Sequence, residues 1–128
     1  KTKASAGYDF YMPYTVIVPA HGFSEIIPTG IKAFFPDNEV LMLYIRSSVG
    51  IKKHVVLANG TGIIDSDYYG NPENEGNIGI CLHNVGDEDV TFEKGERIMQ
   101  GIFLPYGITV DDVTTSERKG ATGSTGKF

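Results

Sequence analysis

Short runs of β-branched and aromatic residues fill this chain of 128 residues, and turn residues interrupt them at close intervals. Helical periodicity, with apolar residues every three to four positions, is almost absent. The runs that predict strands are Tyr14–Val18, Phe23–Ile27, Ile31–Phe35, Val40–Ile45, Val55–Ala58, Ile78–His83, Val90–Phe92 and Ile98–Leu104. Many short strands with turns between them are typical of sandwiches and barrels. We therefore predict an all-β fold, a jelly-roll-like β-sandwich or barrel.

One of these runs, Val40–Ile45, is apolar throughout. It is therefore either a strand that is buried on both faces or the start of a helix. Its short length and the flanking Pro36 favour a strand.

The end of the chain has a different composition. Residues 116–128 are rich in glycine and have almost nothing to bury, so we expect this segment to be mobile on its own. We divide the chain into a β domain, residues 1–115, and a flexible C-terminal lid, residues 116–128. The segment Tyr69–Asn77 is too polar and too rich in turn residues for a strand, and we interpret it as a surface loop to which no role can be assigned.

Charge and cysteine content exclude several classes of function. The formal net charge of −5 provides no overall positive field, so we expect no stable nucleic-acid binding and no membrane association. No apolar stretch approaches membrane-spanning length. The single cysteine, Cys81, precludes an internal disulfide and fits a reducing compartment, so we expect a cytoplasmic location. Its apolar neighbours favour a buried structural thiol.

Residues 59–70 hold the richest chemistry, in the order Asn-Gly-Thr-Gly-Ile-Ile-Asp-Ser-Asp-Tyr-Tyr-Gly. A carboxylate beside a Gly-rich hairpin can hold and activate a water while the bare backbone reads a flat ligand. The bland alternatives are that Asp65 and Asp67 are solvated turn carboxylates and that Tyr68 and Tyr69 are core residues. The three histidines form no metal-ligand spacing.

The chain has three arginines, Arg46, Arg97 and Arg118. The guanidinium fork matches two phosphate oxygens at once, which makes arginine a preferred phosphate ligand. Arg118 opens a glycine-rich tail that resembles a phosphate cradle, although the glycine spacing is not that of a P-loop and no Ser or Thr follows Lys127. The alternative is three unrelated surface arginines and a floppy terminus.

Five short motifs, in collinear order, resemble the five boxes of the homotrimeric deoxyuridine triphosphate nucleotidohydrolases (dUTPases). They are Ala6–Phe10, Arg46–Gly50, Gly62–Gly70, Gly95–Gln100 and Arg118–Gly126. The resemblance implies that the chain hydrolyses dUTP to dUMP and pyrophosphate with Mg²⁺ as cofactor. Such an activity limits uracil incorporation into DNA and supplies dUMP for thymidylate synthesis. It also implies a homotrimer in which each active site is shared between subunits.

The same resemblance implies a role for each matched residue. Asp65 would orient and deprotonate the water that attacks the α-phosphorus in line, and Asp9 would hold Mg²⁺ through water. Tyr68 would lie under the sugar and exclude a 2′-hydroxyl. Uracil would be bound by Asn59, Gly62, Ile63 and Ile64. The phosphates and their pocket would involve Arg46, Ser47, Ser48, Arg97 and Gln100. The γ-phosphate would be bound by Arg118, Ser124 and Thr125.

Two positions depart from the family pattern. Thr122 stands where the lid normally carries a phenylalanine that stacks on uracil, so we expect weaker closure over the substrate. Ser48 stands where glycine is common, so its amide can donate to a phosphate only if the local backbone angle tolerates a side chain. Two other functions remain open, a dCTP deaminase-like enzyme of the same fold and a non-catalytic trimeric nucleotide-binding or regulatory protein.

Overall fold

The computed structural model describes residues 3–111 of the chain. Its strands are β1 (Tyr8–Tyr11), β2 (Val16–Val18), β3 (Ile27–Pro28), β4 (Glu39–Ile45), β5 (Val55–Leu57), β6 (Gly62–Ile64), β7 (Gly79–Ile80), β8 (Leu82–Asn84), β9 (Val90–Phe92) and β10 (Arg97–Pro105). A π-helical turn, Val49–Lys53, and a 3₁₀ turn, Ser66–Tyr68, are the helical elements of this range. The predicted all-β class is therefore confirmed. None of the helical elements within 3–111 has the length and apolar character that crossing a membrane requires.

The strands pair in four antiparallel groups. The largest sheet has the order β1-β10-β4-β6, and the two-stranded sheets are β2-β9, β3-β7 and β5-β8. Most partners are distant in sequence, so the sheets close around one apolar core, as in jelly-roll folds. Members of this core come from both ends of the domain and include Phe10, Leu43, Leu82, Phe92 and Met99.

The apolar run at the centre of the large sheet is a strand, as predicted. In β4, Leu41 and Leu43 are buried in the core, because alternate side chains of a strand point to the same face. The opposite face is only partly covered. Paired positions of β4, β6 and β10 place apolar side chains next to one another there, and we call this surface the outer apolar face: Val40, Met42, Ile63, Ile102 and Leu104.

Two predicted strands differ from the structure because a strand requires a partner. Residues 31–35 form no strand, and the Phe34 side chain is 84% exposed. The run 78–83 divides at Cys81, because β7 before it pairs with β3 whereas β8 after it pairs with β5. Two further differences are smaller. The strand Tyr8–Tyr11 was not predicted, and the run 23–27 contributes a single bridge at Phe23 together with part of β3.

An ion pair joins the turn that follows β4 to the turn that precedes β10. Lys53 Nζ lies 2.5 Å from Glu96 Oε2, and Glu96 Oε1 accepts a hydrogen bond from the Glu93 amide. Burial acts to raise the pKa of Glu96, but the hydrogen bonds from Lys53 and Glu93 outweigh it and the pKa lies below its usual value. The pair therefore stabilises the fold at neutral pH and loses this contribution as the pH falls through the lowered pKa. It ties the segment that carries Arg46 to the one that carries Arg97.

Candidate functional site

A tight hairpin connects β5 to β6. The amide of Gly60 donates to the Leu57 carbonyl at 2.9 Å, and the amide of Thr61 donates to the Asn59 carbonyl at 2.9 Å. Gly60 has φ of 77°, a left-handed conformation that glycine adopts without steric cost. The Asn-Gly pair thus dictates the hairpin locally and leaves its tip exposed to solvent.

A cavity of about 350 Å³ lies beside this hairpin. Its wall contains the residues that the hairpin and the third motif predicted for the nucleoside and for the attacking water: Asn59, Gly62, Ile63, Ile64, Asp65 and Tyr68. The rest of the wall comes from other segments of the chain: Ile26, Leu43, Leu57, Ala58, Asn74, Gly79, Ile80 and Cys81. A mostly apolar wall with a few polar groups is typical of a small-molecule pocket.

One wall of the cavity is an edge strand. In the described part of the chain, β6 pairs with β4 alone, so its other edge carries backbone N–H and C=O groups without a strand partner. A strand edge of this kind can pair with the donors and acceptors of a planar base in the same way that it pairs with another strand.

Gly62 is required by packing. A Cβ atom at this position would lie 2.9 Å from the Cβ of Leu43 in the neighbouring strand. Any larger residue would push β6 away from β4 and displace the strand edge that faces the cavity. The predicted contact of Gly62 with a ligand is through its backbone, and the absence of a side chain keeps that backbone in place.

Asp65 is exposed and lies directly after β6, where the chain is still extended, with φ of −80° and ψ of 156°. The 3₁₀ turn begins at the next residue, and Ser66 Oγ donates to Asp37 Oδ1 at 2.8 Å, which anchors the start of the turn. The Asp65 carboxylate makes no capping hydrogen bond to this turn. Asp65 is thus an exposed residue at the rim of the cavity, immediately before the turn.

Tyr68 is 8% exposed and packs against the core. Its ring nevertheless forms part of the cavity wall, so the core and ligand interpretations of this residue are compatible. Tyr69 points the other way and makes an edge-to-face contact with Phe34, with ring centroids 5.3 Å apart. The two adjacent tyrosines thus belong to different surfaces.

A second cluster of predicted residues lies at the far end of the large sheet. Asp9 of β1 is the register partner of Gln100 in β10, and Arg97 Nη1 donates to Asp9 Oδ2 at 3.2 Å. The side chain of Gln100 lies over Gly7, where any Cβ atom would collide with it. These residues form a polar surface at the end of the outer apolar face.

The second motif lies beside this cluster. The amide of Arg46 donates to the Ile98 carbonyl of β10 at 2.9 Å, which fixes the end of β4. Ser47 is exposed and Ser48 is half-buried. Ser48 has φ of −65° and ψ of −29°, an ordinary right-handed conformation, so a side chain at this position causes no backbone strain.

The two groups of residues are well separated within one chain. Because Ile64 pairs with Leu41, Asp65 lies opposite Val40, near the start of β4. Arg46 follows the last residue of the same strand. Six residues of strand span roughly 20 Å. This distance exceeds what three linked phosphates can bridge. Asp9, Arg46, Arg97 and Gln100 are absent from the cavity wall.

Asp9 is the carboxylate that the sequence predicts for the metal, and in the structure it forms an ion pair with Arg97. Within residues 3–111, no three acidic, histidine or cysteine side chains are grouped closely enough to hold an ion by themselves. Mg²⁺ is commonly bound by one or two carboxylates together with substrate phosphates and water, so one carboxylate beside phosphate ligands fits this ion. The ion pair with Arg97 holds the Asp9 carboxylate at the edge of the cluster.

Three predicted ligands, Arg118, Ser124 and Thr125, lie outside the described residues, as do Thr122 and the proposed boundary at residues 115 and 116. The predicted mobility of the C-terminal lid therefore stays a prediction.

The sequence interpretation missed Asn74 and Cys81. Asn74 belongs to the loop to which no role could be assigned, and no motif in the sequence marked it. Cys81 is half-buried rather than buried, and its Sγ lies 3.3 Å from the Ser24 carbonyl oxygen. It reaches the cavity because the chain changes partner there between β7 and β8.

Comparison with known proteins identifies close relatives. The dUTPase family model matches residues 1–126. The deoxyuridine 5'-triphosphate nucleotidohydrolase of Lactococcus lactis subsp. lactis (strain IL1403) is 47% identical over 127 residues, which are 98% of this chain and 84% of the relative.

Solved structures agree with the sequence comparison. The crystal structure of dUTPase from Streptococcus mutans superposes with a TM-score of 0.79 at 42% identity, covering 85% of this chain and 84% of that one. A mutant dUTPase from phage phi11 of S. aureus shares the fold, with a TM-score of 0.70 at 23% identity over 92% of this chain and 87% of that one. That structure is described as revealing the coordination of a structural Mg(II) ion in the phage protein.

Proposed function

The chain belongs to the dUTPase family, and we propose that the cavity beside β6 is where it binds the uracil and deoxyribose of its substrate. As a member of this family it is a dUTP diphosphatase, which hydrolyses dUTP to dUMP and pyrophosphate. The observation that supports the site assignment is that all five residues predicted for the nucleoside line one cavity together with the predicted base, Asp65. The relatives from Lactococcus lactis and Streptococcus mutans are named as dUTPases, and neither is named as a dCTP deaminase or as a non-catalytic binding protein.

Uracil is read by backbone groups of the hairpin and of β6. The base edge offers acceptors and a donor in a fixed order, and the unpaired edge of β6 together with Asn59 supplies the complementary groups. Cytosine presents the opposite pattern and would leave buried groups unpaired, a mismatch that can reject an analogue by about 10⁴-fold. A tight hairpin around the base would leave no room for the methyl group of thymine.

The deoxyribose lies against Tyr68. Because its ring is packed into the core, it forms a fixed wall rather than an adaptable one. A 2′-hydroxyl would have to displace this wall, which selects deoxyribonucleotides.

Asp65 acts as the general base. Its carboxylate accepts a hydrogen bond from a water molecule and takes one proton from it as the water oxygen bonds to the α-phosphorus. The bond from the α-phosphorus to the bridging oxygen of the β-phosphate breaks, and pyrophosphate leaves. This role is supported by the exposure of Asp65 at the rim of the cavity, where water can reach it.

The phosphates are bound by the second cluster, contributed by a neighbouring subunit. Arg46 binds through its guanidinium, Ser47 and Ser48 bind partly through backbone amides, and Gln100 completes the pocket with Arg97 in support. The distance of roughly 20 Å along β4 separates this cluster from Asp65 of the same chain. A complete site therefore requires a second copy.

A homotrimer supplies that copy. The outer apolar face contains Ile63, which is 62% exposed, and it ends at the polar cluster of Asp9 and Gln100. Burial of this face against neighbouring subunits removes apolar surface from water, which favours assembly. Because the polar cluster borders the same face, assembly also brings it toward another subunit's cavity.

Asp9 would hold Mg²⁺ through water, next to the phosphate ligands. When bound, the ion neutralises charge on the phosphates and so reduces their repulsion of the Asp65 carboxylate. Arg97 orients the Asp9 carboxylate through the hydrogen bond of 3.2 Å.

Arg118, Ser124 and Thr125 remain proposed ligands of the γ-phosphate, since guanidinium and hydroxyl groups are suited to phosphate oxygens. A cytoplasmic location is likewise proposed, since a single cysteine fits a reducing compartment.

Product analysis tests the function. With Mg²⁺ present, the enzyme should release pyrophosphate from dUTP, release no ammonia from dCTP, and lose activity when a chelator removes the metal. Ammonia release from dCTP would identify a deaminase. Binding of dUTP without turnover would identify a non-catalytic nucleotide-binding protein.

A further inference from the structure

The loop of residues 69–77 closes over the hydroxyl of Tyr68. Asn74 Nδ2 donates to Tyr68 Oη at 2.6 Å, and Tyr68 Oη donates to the Asn77 carbonyl at 3.3 Å. The carboxamide of Asn74 is itself fixed, because its Oδ1 accepts from the Gly76 amide at 3.0 Å. The end of the ring that is most distant from the backbone is therefore held in place by two hydrogen bonds.

Hydrogen bonds connect the loop to itself and to the rest of the domain. Asn71, at its start, is only 2% exposed, and its carbonyl accepts from the Glu75 amide at 2.7 Å. The Gly70 amide donates back to the Glu75 carbonyl at 3.1 Å, and the Gly30 amide donates to Asn77 Oδ1 at 3.0 Å. Hydrogen bonds within the loop and to the rest of the domain thus fix its conformation.

Gly76 allows the loop to pack directly on the backbone of the tyrosine pair. It has φ of 88°, and a Cβ atom there would lie 2.7 Å from the Tyr68 carbonyl oxygen and 2.9 Å from Tyr69 Cα. Backbone cannot yield as a flexible side chain can, so only glycine fits at this contact. The contact holds the loop against Tyr68 at the opposite end from its hydroxyl.

Asn74 is also part of the cavity wall, so it touches both the tyrosine and the space that a ligand occupies. We propose that Asn74 is a positioning residue that locks the Tyr68 ring, and that the 69–77 loop thereby sets how strongly the enzyme selects deoxyribose over ribose. This inference rests on the proposed function, in which Tyr68 forms the wall under the sugar.

The physical reason is that a wall excludes a 2′-hydroxyl only if it cannot move. A tyrosine fixed at both ends retains one position, whereas a ring without its hydroxyl partner can tilt into the space that Asn74 vacates. Binding of dUTP depends on contact between its sugar and the ring. Binding of UTP requires the ring to move away from the 2′-hydroxyl. Loss of the lock should therefore reduce binding of dUTP and relieve the exclusion of UTP.

The experiment compares kcat/KM for dUTP and for UTP. Asn74→Ala should lower the dUTP-to-UTP ratio roughly tenfold, the equivalent of one hydrogen bond. The loss with dUTP should appear in KM more than in kcat, because Asp65 is unchanged. Tyr68→Phe keeps the ring but removes the hydroxyl and both of its hydrogen bonds, so it should lower the ratio at least as far. The double variant should match Tyr68→Phe alone, because Asn74 has no bond to the ring once the hydroxyl is absent.

Glu73→Ala is the matched control, because Glu73 is an exposed residue of the same loop, and it should keep the wild-type ratio. An unchanged ratio in Asn74→Ala, or effects of the two substitutions that multiply in the double variant, would overturn the proposal. If Asn74→Ala folds poorly, Tyr68→Phe decides the question by the same ratio. A wild type without dUTP turnover would instead disprove the proposed function, whereas an active wild type with an unchanged ratio in both variants removes only this inference.

Discussion

Replacement of Asp65 by asparagine should lower kcat for dUTP hydrolysis by about 10³-fold, the usual contribution of a general base. Asparagine has nearly the same shape as aspartate but cannot accept a proton, so the water near the α-phosphorus stays neutral. KM should change much less, because the cavity walls that bind the nucleoside are intact. Steady-state measurement of pyrophosphate release, with thermal unfolding to verify the fold, tests this expectation.

Asp87→Asn is a suitable control, because it removes one negative charge from an exposed position and should leave kcat unchanged. In the structure Asp87 pairs with His21 on the surface, away from the cavity wall. An Asp65→Asn enzyme with wild-type kcat would contradict the assignment of the base. Equal losses in both variants would show that the effect reflects charge in general rather than the position of Asp65.

Mixing two inactive variants should restore activity. Asp65→Asn lacks the base, and Arg46→Ala lacks a charged phosphate contact, which should cost roughly 100-fold in kcat/KM. If one subunit supplies the cavity and a neighbour supplies Arg46, some sites of a mixed trimer contain both native residues. Random exchange of equal amounts should restore about a quarter of the wild-type activity.

The control mixture combines Asp65→Asn with Tyr68→Ala. Both residues line one cavity of the same chain, so no arrangement of subunits can produce a native site. This mixture should stay inactive after denaturation and joint refolding. A mixture of Asp65→Asn and Arg46→Ala that also stays inactive, with mixed oligomers shown by native mass spectrometry, would contradict a shared site.

The part of the site that could be predicted lies on one continuous segment. Asn59, Gly62 and Asp65 are fixed by a local hairpin and by the strand that follows it, so their motif sufficed to place them together. Ser48 was in doubt from the sequence, and its ordinary backbone angles remove that doubt.

Other features depend on contacts that no local sequence pattern reveals. Asn74 reaches the cavity through a bond to a tyrosine, and Cys81 reaches it because its strand changes partner, and neither event has a local signature. The run Ile31–Phe35 has the composition of a strand but no partner in the described part of the chain. Strand formation depends on such a partner as much as on intrinsic propensity. The separation of Arg46 from Asp65 likewise follows from strand register, which motif order does not reveal.

The central claim is that a water molecule attacks the α-phosphorus of dUTP, and hydrolysis in water enriched in oxygen-18 tests it most directly. The water oxygen forms its new bond to the α-phosphorus, so mass spectrometry should find the label in the phosphate of dUMP and none in pyrophosphate. Label in pyrophosphate would place the attack on the β-phosphorus and contradict the account.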